Sequence, residues 1–421
     1  MVVPIIPDHL FTIELNLKEQ THSDFASSSS IQREYEGIDK ENGLLGALLA
    51  SKAFVQLLFT PIIGYWITRV GCSLPMLIGS CNMLLSSLLF AYGKSYRLLI
   101  IARALHGSSS AAISISGMSL LAKHVPSELR PKLMPLSFGG IALGVLVGYP
   151  FGGAAYQHFG KETTFILISL MISFNIGLQL NLMNKFNIDR IEQDSDDLKV
   201  LDLLKDRKTM IATCAIGVST TTMAVLEPCI PIWLLGHFYP PPPRWLLGAV
   251  FIPDSIGYFL GSHFGGFIPI DNWRIALIVM IVGGLSSCSV PLVDSVSQLS
   301  LPHFGIGLSV GVIDAILVPY LATLMESKRS TKYGSVYTLQ QMAVSLAYCL
   351  GPLIGGEAVY LIGFTWLMKI VGLMNVAFCP LLVELEEVKT GNKDGMVSSI
   401  NKSSTLDTYQ SLEEDYPKNS E

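Results

Sequence analysis

The stretch FGIGLSVGVIDAILVPYLATL, Phe304 to Leu324, is apolar over a full membrane's depth and carries a single charge, Asp314, near its middle. A second stretch of this kind, Met210 to Leu235, carries Glu227. A bilayer core is ~30 Å thick, which roughly 20 helical residues cross. A carboxylate at that depth costs about 2.5–3.5 kcal/mol on insertion scales, so it belongs in a protein interior or along a water-filled path, where it has a task. Two further apolar runs hold Lys52 and Arg103, so the buried charges have both signs and can offset one another in one polar interior. That pattern points to a path through a membrane and away from a soluble enzyme.

Working outward, the whole chain has the same character. Half of its 421 residues are hydrophobic and 14% are charged, with a mean hydropathy of +0.49. A soluble chain of this length could not cover such a composition with polar surface. Against it, the net charge of -5 says little about partners, and nothing suggests nucleic acid. Runs long enough to span fall at Gly43–Thr68, Leu74–Tyr92, Leu98–Ala122, Leu133–Tyr156, Thr163–Met183 and Thr209–Leu235. They continue at Leu246–Ile268, Ile275–Val293, Leu301–Leu324, Tyr333–Leu361 and Phe364–Val383, giving eleven predicted complete spans.

Met1 to Leu17 is too short and too polar for a twelfth. It lacks the basic start, apolar centre and cleavage site of a secretory signal, and it reads as the second half of a helix whose beginning lies outside this sequence. With the end of that helix non-cytoplasmic, the loops on the cytoplasmic side hold fourteen Lys and Arg, against seven on the other side. The positive-inside bias then places the carboxyl tail in the cytoplasm.

The polar segment Asn184–Lys208 separates two halves with matching devices. The run Leu133–Tyr156 contains Gly144 and Gly148 and leads through Pro150 into Gly152 and Gly153; Tyr333–Leu361 contains Gly351, Pro352, Gly355 and Gly356. Glycines at these spacings let helix backbones approach, and proline bends the helix. Two copies at corresponding places suggest related halves around a site at mid-depth. The predicted organisation is an N-terminal helical bundle over 1–183, a central cytoplasmic loop over 184–208, a C-terminal bundle over 209–384 and a tail over 385–421.

At these motifs the chain resembles a known family. Arg103-Ala-Leu-His-Gly107, the first glycine–proline device and Gly64-Tyr-Trp-Ile-Thr-Arg69-Val-Gly71 look like signature segments of major facilitator proton antiporters, with Thr68 where aspartate is usual. Val2-Val-Pro-Ile-Ile-Pro7, Leu49-Ala-Ser-Lys52, Leu226-Glu227-Pro-Cys-Ile-Pro-Ile-Trp233, Tyr333-Gly-Ser-Val-Tyr337 and Gly363-Phe-Thr-Trp-Leu-Met368 resemble the vesicular amine transporters, the monoamine branch more than the acetylcholine branch. The resemblance runs from residue 2 to about residue 383. It implies an all-α membrane protein of the major facilitator fold, two six-helix bundles with the first helix incomplete.

The function implied is exchange of a cytoplasmic cationic amine for vesicle protons by alternating access, driven by a proton gradient and without a cofactor. Carried over onto this sequence, Glu227 contacts the amine and Asp314 is the main proton-coupling acid, with Glu227 contributing. Tyr258, Tyr348 and Thr220 line the cavity, where aromatic faces can hold a cation. Trp233 and Phe251, with Leu49 at a usually aromatic position, form the lumenal gate. Lys52, Arg103, Arg130, Gly148, Pro150, Gly351 and Pro352 serve structure and coupling. Four departures stand out. The family's first-helix aspartate falls outside this sequence, an acid that pairs with Lys52 is Gln341, a cavity asparagine is Thr220, and a histidine is Arg329. Asp254, an additional acid in the run Leu246–Ile268, either compensates for a lost charge or is a solvated residue near that helix's lumenal end.

All seven cysteines lie in or beside apolar spans, so no lumenal disulfide is expected, although the family commonly has one. The sequence offers no phosphate-cradling loop, metal cluster or nucleophile triad, so an enzyme is not expected. The acidic tail has the composition of disorder, and Tyr409-Gln-Ser-Leu412 has the spacing of a tyrosine-based sorting signal for a clathrin adaptor. The expected home is the membrane of secretory or synaptic vesicles. Transport of acetylcholine or of a broader set of cationic drugs is the alternative substrate reading. A truncated, non-transporting form is the alternative class.

Overall fold

The computed structural model describes the backbone of residues 30–186, 200–238, 244–267, 271–328 and 333–386. Twelve α-helices and no strands occur among them: α1 Ser30–Val70, α2 Ser73–Tyr92, α3 Tyr96–His124, α4 Arg130–Phe186, α5 Val200–Leu203 and α6 Arg207–His237, then α7 Arg244–Ala249, α8 Ile252–Phe264, α9 Asn272–Ser289, α10 Ser300–Ser327, α11 Tyr333–Ile362 and α12 Phe364–Leu382. Without water, helix is the form in which a lipid-buried backbone satisfies its own polar groups. At two helix starts a side chain supplies the cap: Asp206 accepts from the Thr209 amide at 3.0 Å, and Ser95 from Leu98.

Most predicted runs are observed to within a few residues, but three details differ. Among the described residues ten helices are long and apolar enough to span, not eleven. The missing one is Leu246–Ile268, which breaks at Val250 and Phe251 into α7, α8 and a 3₁₀ turn, Gly265–Phe267. Pro253 stands at the start of α8 and has no N–H to return to the preceding turn, so a continuous helix would lose a bond there. Second, α1 starts at Ser30 rather than Gly43; its polar first turns carry no hydropathy signal. Third, the runs Leu133–Tyr156 and Thr163–Met183 join in one continuous assignment, α4, interrupted only at Gly160, whose φ of 77° suits a residue without a side chain. Met1–Leu17, Arg329 and Tyr409–Leu412 lie outside the described residues, as do the side chains of Leu49 and Pro150.

Met1–Glu384 is one compact unit; of the second, Leu385–Glu421, the structure describes Leu385 and Glu386. Within the first unit, α1 lies between α3 and α11, α2 between α3 and α4, and α6 against α10, α11 and α12. Helix α4 reaches across to α8 and α10. Helix α10 is central: 83% of its apolar stretch is buried by protein. The second glycine–proline device works by close approach, since a β-carbon on Gly351 would lie 2.8 Å from the Ala224 backbone of α6. The first device differs. Gly144 faces open space, while Gly148 is buried.

Candidate functional site

Asp314 sits midway along α10 with 8% of its surface exposed. A carboxylate there needs a donor, and Tyr258 of α8 provides one, its hydroxyl donating to Asp314 Oδ2 at 2.8 Å. Tyr348 of α11 and Asp254 of α8 both lie within electrostatic reach of the Tyr258 hydroxyl. Asp254 in turn neighbours Glu227 of α6. Glu227 is half-buried and follows directly on Leu226, part of an apolar cluster that joins α6 to Val250, Ile306 and Met368. These groups form an acidic side contributed by α6, α8 and α10.

The facing side is basic. Lys52 of α1 is within reach of both Arg103 of α3 and Glu227. The two basic helices meet at the level of these charges, because Gly107 lets α3 close on the Lys52 carbonyl. His106, one turn after Arg103, also neighbours Lys52 and Arg103. The acid that answers Lys52 is thus Glu227, across the molecule. Position 341 supplies no charge: Gln341 is buried and its amide points to Ser345 Oγ at 3.5 Å.

Other expected site residues spread outward. Thr220 is buried, and its hydroxyl donates back to Ile216 of its own helix at 2.7 Å. Trp233 stacks on Phe364 and on His237, with ring centroids 4.8 and 4.7 Å apart. Phe251 caps α8 beside His303, centroids 6.0 Å apart. Trp233 and Phe251 border the same apolar cluster, so the two aromatic gate candidates share one end of the site.

At the opposite end, expected to be cytoplasmic, the structure forms a knot that only partly showed in the sequence. Arg130 of α4 donates to Glu326 of α10 at 2.6 Å and to the Tyr333 hydroxyl of α11 at 3.1 Å, while its guanidinium lies over the Tyr333 ring at 5.1 Å. The Tyr333 hydroxyl also donates to Glu326 at 3.0 Å. Arg130 is 5% exposed, whereas the Glu326 side chain is 35% exposed, so the buried guanidinium is satisfied by a carboxylate that still reaches toward solvent. Next to it Tyr337 is wholly buried, its hydroxyl 3.3 Å from the Val318 carbonyl. Arg130 and the Tyr333–Tyr337 motif were visible in the sequence, but Glu326, a polar residue at a helix end, gave no signal of its own. Outside the spans, Lys328 pairs with Asp206 at 2.7 Å.

Membrane-length helices around opposed acidic and basic charges, tied together at one end by Arg130, Glu326 and Tyr333, define a multi-pass membrane carrier. The Major Facilitator Superfamily pattern matches residues 25–183. The human organic anion transporter MFSD10 (TETRAN), known from a crystal structure, aligns over 90% of this chain and 94% of its own with a TM-score of 0.71; at 14% identity it shows the fold alone. The bovine synaptic vesicular amine transporter is 34% identical over 387 residues, 90% of this chain and 74% of that protein. A zebrafish protein described as a probable vesicular acetylcholine transporter is 32% identical over 92% of this chain and 75% of its own. The chain spans between 66% and 74% of the length of the first synaptic vesicular amine transporters it matches. It belongs to the vesicular amine transporter family.

Proposed function

We propose that the chain is a proton-coupled antiporter that loads a cationic monoamine into secretory or synaptic vesicles by alternating access. The observation that carries this reading is Asp314, buried in the central helix and held by Tyr258. A carboxylate so placed can exchange a proton for a hydrogen-bonded, charged state, and its protonation biases which side of the carrier opens. Glu227 supplies the counter-charge for the amine and, when the amine is absent, faces Lys52. The Arg130–Glu326–Tyr333 knot ties α4, α10 and α11 together at the end expected to be cytoplasmic, and breaking and remaking it is part of opening that end.

The test is uptake of labelled monoamine by vesicles containing the purified protein, with an acid interior imposed. Accumulation that collapses with a protonophore supports the reading; accumulation that ignores the gradient overturns it. Competition by acetylcholine and by bulky cationic drugs in the same vesicles ranks the substrate classes.

A further inference from the structure

The seam between α8 and α10 repeats one arrangement turn after turn. At its outer end His303 Nδ1 lies 2.9 Å from the Val250 carbonyl oxygen, at the break before α8. One turn further in, Gly307 presses on Asp254: a β-carbon at Gly307 would overlap the Asp254 carbonyl and stand 2.9 Å from its Oδ1. Another turn in, a β-carbon on Gly311 would lie 2.5 Å from the Tyr258 carbonyl oxygen. From there the Tyr258 hydroxyl reaches Asp314. Residues 250, 254 and 258 of one strand of chain thus pair with 303, 307 and 311 of the other, so His303, Asp254, Tyr258 and Asp314 follow one another inward along a single line.

Two members of this line have no part in the antiporter reading as stated. His303 is 1% exposed and its Nε2 is buried without a hydrogen-bond partner among the described residues. Asp254 is only partly buried. A buried imidazole nitrogen without a partner is expensive unless it has a use.

We propose that Asp254 is a second proton-binding carboxylate of the transport cycle, and that protons travel from His303 through Asp254 and Tyr258 to Asp314 along the α8–α10 seam. This rests on the antiporter reading. Asp254 and Tyr258 stand one turn apart on α8, and such neighbours are about 5–6 Å apart at their β-carbons, a gap that one water bridges. Each step moves one proton. In the first, His303, protonated at Nε2, gives that proton through a water to the Asp254 carboxylate and is left neutral, its Nδ1 still on the Val250 carbonyl. In the second, Asp254 is the donor. The Asp254 carboxyl gives its proton to the water, the water gives one to the Tyr258 hydroxyl, and the tyrosine's own hydrogen passes to Asp314 Oδ2. Asp254 ends as a carboxylate and Asp314 as a carboxylic acid, with water and tyrosine unchanged. The charged and titratable groups that act on Asp254 are Glu227 of α6, with Lys52 behind it, and Tyr258 of its own helix; Asp314 of α10 and Tyr348 of α11 act in turn on that tyrosine, and His303 of α10 lies one turn outward along the seam.

Asp254→Asn, Asp254→Glu and His303→Gln in reconstituted vesicles test the route. We expect Asp254→Asn to bind amine, without a gradient, within about twofold of the unmodified protein, yet to need a lumen roughly one pH unit more acidic for half-maximal uptake, a tenfold higher proton concentration. Asp254→Glu should restore the acid dependence, and His303→Gln should shift it less in the same direction. An unchanged acid dependence in Asp254→Asn overturns the proposal. A tenfold loss of amine binding also overturns it, because Asp254 would then be a counter-charge for the amine. If the unmodified protein shows no acid-driven uptake, the antiporter reading fails separately. Infrared difference spectra of purified protein between neutral and acid buffer then decide the local question: loss of a carboxylic-acid band in Asp254→Asn supports the proton site, and an identical band pattern overturns it.

Discussion

Helix α10 and the second part of α4 are both apolar over the depth of a bilayer, yet their surroundings are opposite. In α10 83% of the apolar stretch is buried inside the protein, against 17% for His158–Met183. Hydropathy alone cannot separate these cases, because lipid and protein interior are equally apolar solvents for a leucine. What separates them is the exceptional residues. Helix α10 carries Asp314, His303 and a series of glycines that meet backbone, whereas Met171 and Phe174 in α4 are more than 70% exposed and Gly177 has nothing within 4 Å. A charge inside an apolar run, together with glycines, marks a helix that faces protein.

The sharpest way to break this contrast is at Asp314. Asp314→Asn should abolish acid-driven amine uptake while leaving protein abundance roughly intact; Phe174→Ala should leave uptake unchanged. Normal uptake by the first, measured in the same vesicles, would remove Asp314 from the coupling role.

The next test exchanges glycines. Gly311→Leu forces a side chain into the Tyr258 backbone and should cost about 1–3 kcal/mol or more, the range of overpacked cores. Gly177→Leu should cost nothing detectable. Thermal unfolding in detergent reads both, and equal midpoints would refute the assignment of one helix to protein and the other to lipid.

At Glu227 a smaller effect is expected. Glu227→Gln should weaken binding of a protonated amine about tenfold, roughly 1.4 kcal/mol, and barely change binding of a neutral analogue. Equal losses for the two ligands would give Glu227 a structural role.

The smallest effect lies outside the spans. Burial works against the charged form of Asp206, but Lys328 and the Thr209 donors outweigh it and hold its carboxyl below the usual range. A depressed carboxylate contributes stability above its unfolded value and loses it as pH falls through the folded one. Asp206→Asn should therefore lower stability by under about 1 kcal/mol at neutral pH, and the difference from the unmodified protein should vanish in acid.

The sequence carried the spans well, because each needs only a count of apolar residues. Asp314 and Glu227 were equally plain, since a charge in such a run has no neutral explanation. The break at Val250 was harder. The Leu246–Ile268 run gave no hydropathy sign of it, and the group that meets the Val250 carbonyl at the break, His303, comes from another helix far along the chain. Tyr258 and Tyr348, expected to line the cavity, came from family resemblance, because a tyrosine in a membrane helix is otherwise packing or interface anchor. Asp254 stayed ambiguous until the register of α8 against α10 placed it next to Gly307.

That register has a mechanical consequence. Backbone meets backbone at Gly257, Gly261, Gly307 and Gly311, so neither helix can slide along the other without climbing over main chain. Some other contacts are softer: α1 meets α11 through the side chains of Thr338 and Ile67, and α4 meets α8 at Gly139 through the ring of His263, while backbone also meets backbone between α1 and α3 at Gly107 and between α6 and α11 at Gly351. Rocking that exposes the site to alternate sides is more easily taken up at such side-chain tips, with α8 and α10 carried along as a single stiff beam.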